Sequence, residues 1–267
     1  MGRSIHGKNE QEVVLLPGSV YDEVARSLDV RSIDIEPLTF VKLQRINEGF
    51  CQVLSKKLKE GKTSVVCTAY SHPILPEMDP EDLRINVRWS VAFYVEKFWR
   101  GRWKKLRLIP FWLPELAVSS HVVRSIVEES AKHGAKPLFI LDEASFRLKR
   151  GDCLFEWGGA FFVIRSRKAS DAVSFAPEVR EIVRKIVRVK RKVIGICSDA
   201  ENYGGNYDPL RPEKMDAVRK SLSKMGYSFP LLDELVENRL SKKVLRQKFV
   251  ERTSWSDYVS FLRVGRK

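Results

Sequence analysis

Glu115 and Asp199 are carboxylates that each stand just past a short apolar run, in Trp112-Leu113-Pro114-Glu115 and in Ser198-Asp199-Ala200-Glu201-Asn202-Tyr203-Gly204-Gly205. Paired carboxyl groups suit cleavage or transfer at a glycosidic bond. One protonates the leaving oxygen, and the other attacks the anomeric carbon or activates water. The two are 84 positions apart (199 − 115), so only the fold can unite them. A carboxyl separation of about 5–5.5 Å goes with retention of configuration, and about 6.5–9.5 Å with inversion. Each residue also has a plainer setting. Glu115 could serve the positive end of a following helix, and Asp199 could be a turn residue ahead of Gly204-Gly205.

Three further apolar runs end in polar or aromatic residues: Tyr70-Ser71-His72-Pro73-Ile74-Leu75-Pro76, Asp142-Glu143 and Arg165-Ser166-Arg167. Aromatic rings pack on sugar faces, and His, Arg and carboxylates bond to hydroxyls. The candidate substrate-binding set is therefore His72, Trp112, Arg165, Tyr70, Asp142 and Glu201. A charged Arg165 beside the cleft would keep a carboxylate ionised. The plainer settings are a loop histidine for His72, a cap for Asp142-Glu143, and solvated loop cations for Arg165 and Arg167.

The elements that must position these residues follow from periodicity. Ser64–Ala69, Leu106–Phe111, Pro137–Leu141, Ala160–Ile164 and Val193–Cys197 are short apolar runs with little alternation, as expected of strands covered on both faces. Val13–Leu16 is a further candidate strand. Helical patterns run over Pro37–Glu60, Pro80–Trp99, Ser119–His133 and Pro177–Val189. The C-terminal part reads as helical over Pro212–Met225, Leu231–Leu240 and Lys243–Val250. The β-α-β-α rhythm predicts an α/β fold with a parallel sheet, open or closed. In such folds the chemistry gathers at the C-terminal ends of the strands.

The chain has 267 residues, with 48 Lys+Arg against 34 Asp+Glu and a net charge of +14. That length fits one large α/β unit or one with a small appendage. Nucleic acid is a possible partner of so basic a chain. Binding it would call for a Lys/Arg stripe such as Arg180, Arg184, Arg188, Arg191 and Lys192, with steep salt dependence. Asn and Gln are scarce and Val, Lys, Arg and Glu plentiful, a balance met in heat-adapted proteins. Cys51, Cys67, Cys153 and Cys197 contain no C-x-x-C pair. His6, His72, His121 and His133 contain no H-x-x-x-H, which argues against a metal-dependent deacetylase or mannosidase. G-x-S-x-G, the P-loop and G-x-G-x-x-G are absent. The first residues lack the apolar stretch of a signal peptide, and no window is long and apolar enough to span a bilayer, so the expected location is the cytoplasm, away from membranes.

These segments resemble the family 57 glycoside hydrolases, which act on α-glucans and related sugars. Trp112-Leu113-Pro114-Glu115 is similar to the family's W-L-P-E block, whose Glu is the nucleophile. Asp199-Ala200-Glu201-Asn202-Tyr203-Gly204 is similar to D-x-E-x-[YF]-G, whose Asp is the general acid/base. Tyr70–Pro76 resembles H-x-[IF]-L-P, Phe161–Asp171 resembles F-F-R-D-R-x-x-S-D, and Asp82-Leu83-Arg84-Ile85-Asn86 lies where the family often has an acidic residue and a short polar–apolar run. The resemblance covers Tyr70 to Gly205. It implies an incomplete (β/α)7-type barrel with C-terminal helices. It also implies a retaining mechanism on a carbohydrate substrate, with Glu115 as nucleophile and Asp199 as acid/base and with neither metal nor organic cofactor. The domains would be a catalytic barrel over 1–210 and a helical extension over 211–267 packed on it. There are departures. No His-Gln-Pro block opens the chain, since His6 is followed by Gly7-Lys8. Gly205-Asn206-Tyr207 stands where His and Trp commonly follow. The alternative is a degenerate relative that binds glycan, protein or nucleic acid without turnover.

Overall fold

The computed structural model describes residues 24, 31–99, 108–146, 154–189, 194–198, 210–232 and 245–254. Five expected elements lie wholly or partly beyond these residues. Val13–Leu16 does entirely, Leu231–Leu240 does after Leu232, and the fifth strand is described from Ile194 onward.

The fold is mixed α/β, with mainly parallel strand pairing. β1 (Arg31–Asp34) runs parallel to β2 (Thr63–Val66), with Ile33 opposite Val65. Cys67 continues β2 and bridges in parallel to Phe111 of β3 (Leu108–Trp112). Beyond lie β4 (Lys136–Leu141), parallel to β3, and β6 (Ala160–Ile164), parallel to β4. Arg165, at the end of β6, bridges in parallel to Gly195. β5 (Leu154–Trp157) forms a hairpin with β6, and β7 (Leu245–Arg246) runs parallel to β5. The parallel strands β2, β4 and β6 are buried almost throughout, and β4 and β6 are almost wholly apolar, as expected of a sheet covered on both faces. Pro110 sits inside β3 with no N–H to give, but its carbonyl still accepts from the Cys67 N–H at 2.8 Å.

The described helices lie close to expected spans, except for one over Arg167–Phe175, where no helix was expected. They are α1 (Pro37–Ile46), α2 (Glu48–Lys59), α3 (Pro80–Lys97), α4 (Ser120–Ala131), α5 (Arg167–Phe175), α6 (Val179–Val187) and α7 (Arg211–Lys224). The single helix expected over Pro37–Glu60 is two. Asn47 breaks it at φ −147°, ψ 68°, and its Oδ1 accepts from the Phe50 N–H at 3.0 Å. Asparagine offers the backbone this local bond in place of a helical one, while the apolar period runs on through the break.

Of the helix expected over Lys243–Val250, the described residues 245–250 are not helical. Leu245 and Arg246 add a strand beside β5, and Phe249 is buried against Trp157 and Phe162. Here sheet pairing and the burial of one ring outweigh the helix propensity of Lys, Leu, Arg and Gln.

Three apolar clusters lie among the described residues, the smallest being Leu108, Leu138, Phe161 and Val163. In the first, Phe139 stacks on Phe162 at 5.4 Å and Phe146 on Phe155 at 4.4 Å, between the sheet and α1–α4. The second joins α5, α6 and α7 through Val173, Ile182, Ile186, Met215, Val218 and Leu222. Cys67 is a buried small residue, as expected, and burial pushes its thiol well above the usual range. No described helix is long and apolar enough to cross a membrane.

Candidate functional site

The C-terminal ends of β1, β2 and β3 carry a cluster centred on His72. After β2, the carbonyl of Thr68 accepts from the Ser90 hydroxyl of α3. The Tyr70 N–H donates to Asn86 Oδ1 at 2.9 Å, and Asn86 Nδ2 donates to Ser71 Oγ at 3.2 Å. Asn86 is buried, so α3 holds the loop from inside the fold. The Tyr70 ring meets Trp89 of α3 edge to face, with centroids 5.6 Å apart.

After β3, Trp112 donates its N–H to the Cys67 carbonyl at 2.7 Å. The chain then makes a single 3-10 turn over Pro114–Leu116, in which Glu115 has φ 56° and Leu116 φ 50°. For residues with a Cβ this left-handed conformation costs roughly 1–2 kcal/mol each. Leu113 and Leu116 are fully buried and clamp the turn, while the Glu115 side chain remains 31% exposed. Strain held by buried neighbours is typical of functional positions.

His72 links this turn to β1. Its Nδ1 lies 2.8 Å from Glu36 Oε1, and its Nε2 lies 3.9 Å from Glu115 Oε1. The other Glu36 oxygen accepts from Thr39 Oγ1 at 3.2 Å. Three consecutive strand ends thus bring two carboxylates to one imidazole. Residues 2–204 match the family described as maltose-forming alpha-amylase-like, N-terminal domain.

The chain belongs to the maltose-forming alpha-amylase-like family. That membership agrees with the resemblance to family 57 seen in the sequence. Among solved structures, the chain is similar to an exo-type maltose-forming amylase from Pyrococcus sp. ST04, at 22% identity and a TM-score of 0.74 over 89% of this chain and 43% of that one. It is similar to a 4-alpha-glucanotransferase from Thermococcus litoralis at 13% identity and a TM-score of 0.60, over 88% of this chain and 35% of that one. A GH57-type branching enzyme from Pyrococcus horikoshii matches at 12% identity and a TM-score of 0.61, over 82% of this chain and 52% of that one. The chain spans about a third to a half of the length of these enzymes, and at these identities the likeness is one of fold. No curated protein matches the chain.

Within this family member, Asp142 and Arg165 come together at the ends of β4 and β6. Asp142 is fully buried. Its Oδ1 accepts from Arg167 Nη2 at 2.7 Å and from the Ala144 N–H at 3.0 Å, and its Oδ2 lies 3.4 Å from Arg165 Nε. Arg165 is 3% exposed and also reaches Asp171 Oδ1 at 3.5 Å. Arg167 is half exposed, and its hydrogen bond to Asp142 raises its pKa further. Among the described residues, the carboxylates beside Arg165 include Asp142 and Asp171.

Asp199 and Glu201 lie outside the described residues. The segment leading toward them is held at the same end of the sheet. Ser166 donates its N–H to the Gly195 carbonyl at 2.7 Å, Cys197 donates its N–H to Ser170 Oγ at 3.1 Å, and Ser198 Oγ lies 2.9 Å from Ser174 Oγ. Gly195 is required there, because a Cβ would stand 2.8 Å from the Ile164 carbonyl oxygen.

Sequence reasoning missed Glu36. The signal was the alternation in Ser32-Ile33-Asp34-Ile35-Glu36, cut off by Pro37, which marks a strand passing into a helix. On α6 and its C-cap, Arg180, Arg184 and Arg188 recur every four residues and are exposed, whereas Arg191 and Lys192 lie outside the described residues.

Proposed function

We propose that this chain carries the catalytic groups of a retaining carbohydrate-active enzyme, a glycoside hydrolase or transglycosylase acting on an α-linked glucan or oligosaccharide. The observation that carries this reading is the placement of Glu115, the Glu of the W-L-P-E block, on a strained turn at the end of β3 and facing His72. In this reading β1, β2, β3, β4, β6 and the strand segment at Gly195 are staves of an incomplete (β/α)7-type barrel occupying 1–210. The 211–267 extension packs on it through α7 and through residues 245–254.

Glu115 attacks the anomeric carbon and forms the glycosyl-enzyme. Asp199 protonates the leaving oxygen, then takes the proton of the incoming water or sugar hydroxyl. His72 orients and solvates the Glu115 carboxylate, with Glu36 fixing the imidazole ring. Tyr70 and Trp112 supply apolar surface for sugar rings, and the buried Asp142–Arg165 pair shapes the floor beneath them. Glu201 is a further candidate for bonding hydroxyls.

The test is turnover of maltooligosaccharides by the chain and by Glu115→Gln and Asp199→Asn. Both variants should lose turnover at least about a thousandfold while keeping their fold. Full activity in Glu115→Gln would remove Glu115 from the nucleophile's role.

The exposed Arg180, Arg184 and Arg188 favour a second reading, a relative that binds an anionic polymer without turnover. Its mark is affinity for RNA or DNA that falls steeply with salt, together with inactivity on every glucan.

A further inference from the structure

We propose that the cavity between the β5–β6 turn and β7 is a second carbohydrate-binding site, taking a stretch of linear α-glucan chain away from Glu115. The cavity is a solvent-open depression of about 350 Å³, lined by Glu156, Trp157, Gly158, Gly159, Arg246, Gln247 and Lys248. That volume falls within the range of about 300–1,000 Å³ usual for small-ligand sites. It opens at the start of β6, whereas Arg165 marks the end of that strand. The five steps from Ala160 to Arg165 put roughly 17 Å between the two ends.

Three features set the ligand chemistry. First, Trp157 offers an aromatic wall that is held in place. Its ring meets Phe249 edge to face at 5.2 Å, while Lys248 Nζ lies 5.4 Å from its centroid. A ring so placed suits the C–H face of a sugar once the Lys248 ammonium, which also pairs with Glu251 at 2.9 Å, moves off it.

Second, the β5–β6 turn on one side of the rim is two glycines. Trp157 pairs with Ala160 across a two-residue turn whose glycines have φ 59° and 84°, the I′ geometry that favours glycine at both positions. A Cβ on Gly158 would meet nothing within 4 Å, whereas one on Gly159 would stand 3.3 Å from Val127 Cγ1, so the turn is open to a chain on its Gly158 side.

Third, donors and acceptors are both present and the charges are largely balanced within the protein. Glu156 faces Lys136 at 3.9 Å, and Lys248 pairs with Glu251 at 2.9 Å. Carboxylate, amide, guanidinium and ammonium groups around one ring match hydroxyls that donate and accept at once, and a balanced lining favours a neutral ligand over an anion. The choice of an α-glucan rests on the activity proposed above.

The experiment is electrophoresis of the chain through gels containing soluble amylose, alongside turnover of a maltooligosaccharide too short to reach both sites. Trp157→Ala removes the ring, and the double variant Arg246→Ala/Gln247→Ala removes polar groups without emptying the core. The wild type should be retarded, both variants should bind amylose about tenfold more weakly, and short-substrate turnover should be unchanged. Retardation equal to wild type in the double variant and in folded Trp157→Ala, with turnover intact, overturns the site and leaves the proposed activity standing. Retardation lost in the variants of a chain that turns over nothing keeps the site and sinks the enzyme. A wild type that is neither retarded nor active overturns both.

Discussion

His72 is held by Glu36 at 2.8 Å through Nδ1 while its Nε2 faces Glu115 at 3.9 Å. Glu36 is pinned in turn by Thr39, so an ordered chain of contacts runs from the first turn of α1 to the proposed nucleophile. Replacing Glu36 by Gln keeps the size but removes the anion that orients the ring. We expect kcat to fall about tenfold to a hundredfold with little change in KM, because misplacing a positioning group affects the reacting geometry more than substrate binding. Steady-state kinetics on a maltooligosaccharide would check this. A Glu36→Gln enzyme with unchanged kcat beside an inactive His72→Ala would detach Glu36 from the site.

Glu115 is held at φ 56°, a conformation that glycine adopts freely. Glu115→Gly should therefore raise stability by about 1 kcal/mol while abolishing turnover. Glu115→Gln keeps the strained backbone and should be inactive with unchanged stability. Urea denaturation of the three proteins separates the two effects, and a destabilised Glu115→Gly would show that the turn is not strained in solution.

Asp142 and Arg165 illustrate what residue order conveys and what it leaves out. Their positions at the ends of β4 and β6 were legible, because the buried apolar runs Pro137–Leu141 and Ala160–Ile164 mark those strands plainly. That the two side chains turn on each other was not, since strand alternation fixes a face but not a partner. The same limit explains the shorter elements. β1 and β5 are four residues each and only partly buried, so neither gives an apolar run long enough to stand out. Lys243–Val250 has helix-forming residues, and it is pairing with the edge of β5, far away in sequence, that makes Leu245–Arg246 a strand.

The Asp142–Arg165 pair has its own test. Removing one partner of a buried ion pair costs about 3–5 kcal/mol, because the other charge is left without compensation. Asp171 still faces Arg165, so Asp142→Ala should fall at the lower end, near about 3 kcal/mol. Replacing both, as in Asp142→Leu/Arg165→Met, should recover much of the loss. A single variant as stable as the wild type in chemical denaturation would mean that solvent reaches the pair.

Glu251 caps α4 from the far end of the chain. Ser119, the residue ahead of the helix, makes no capping bond with its side chain. Instead Glu251 accepts from the Ser120 N–H at 2.9 Å, from the Ser120 hydroxyl, and from Lys248 at 2.9 Å. Burial by itself would raise the Glu251 pKa, but these bonds from Ser120 and Lys248 outweigh it and hold the carboxyl below its usual range. A carboxyl depressed in the folded state stabilises above its unfolded pKa of about 4.3, and that contribution disappears as pH falls through the lower folded value. The side chain is 42% exposed, so solvent screening limits the effect to well under about 1 kcal/mol. Glu251→Gln should thus melt slightly below the wild type at pH 7, and the two melting curves should converge below about pH 3. A gap of constant size from pH 7 to pH 3 would show that the amide's lost packing, and not the charge at the start of α4, accounts for the difference.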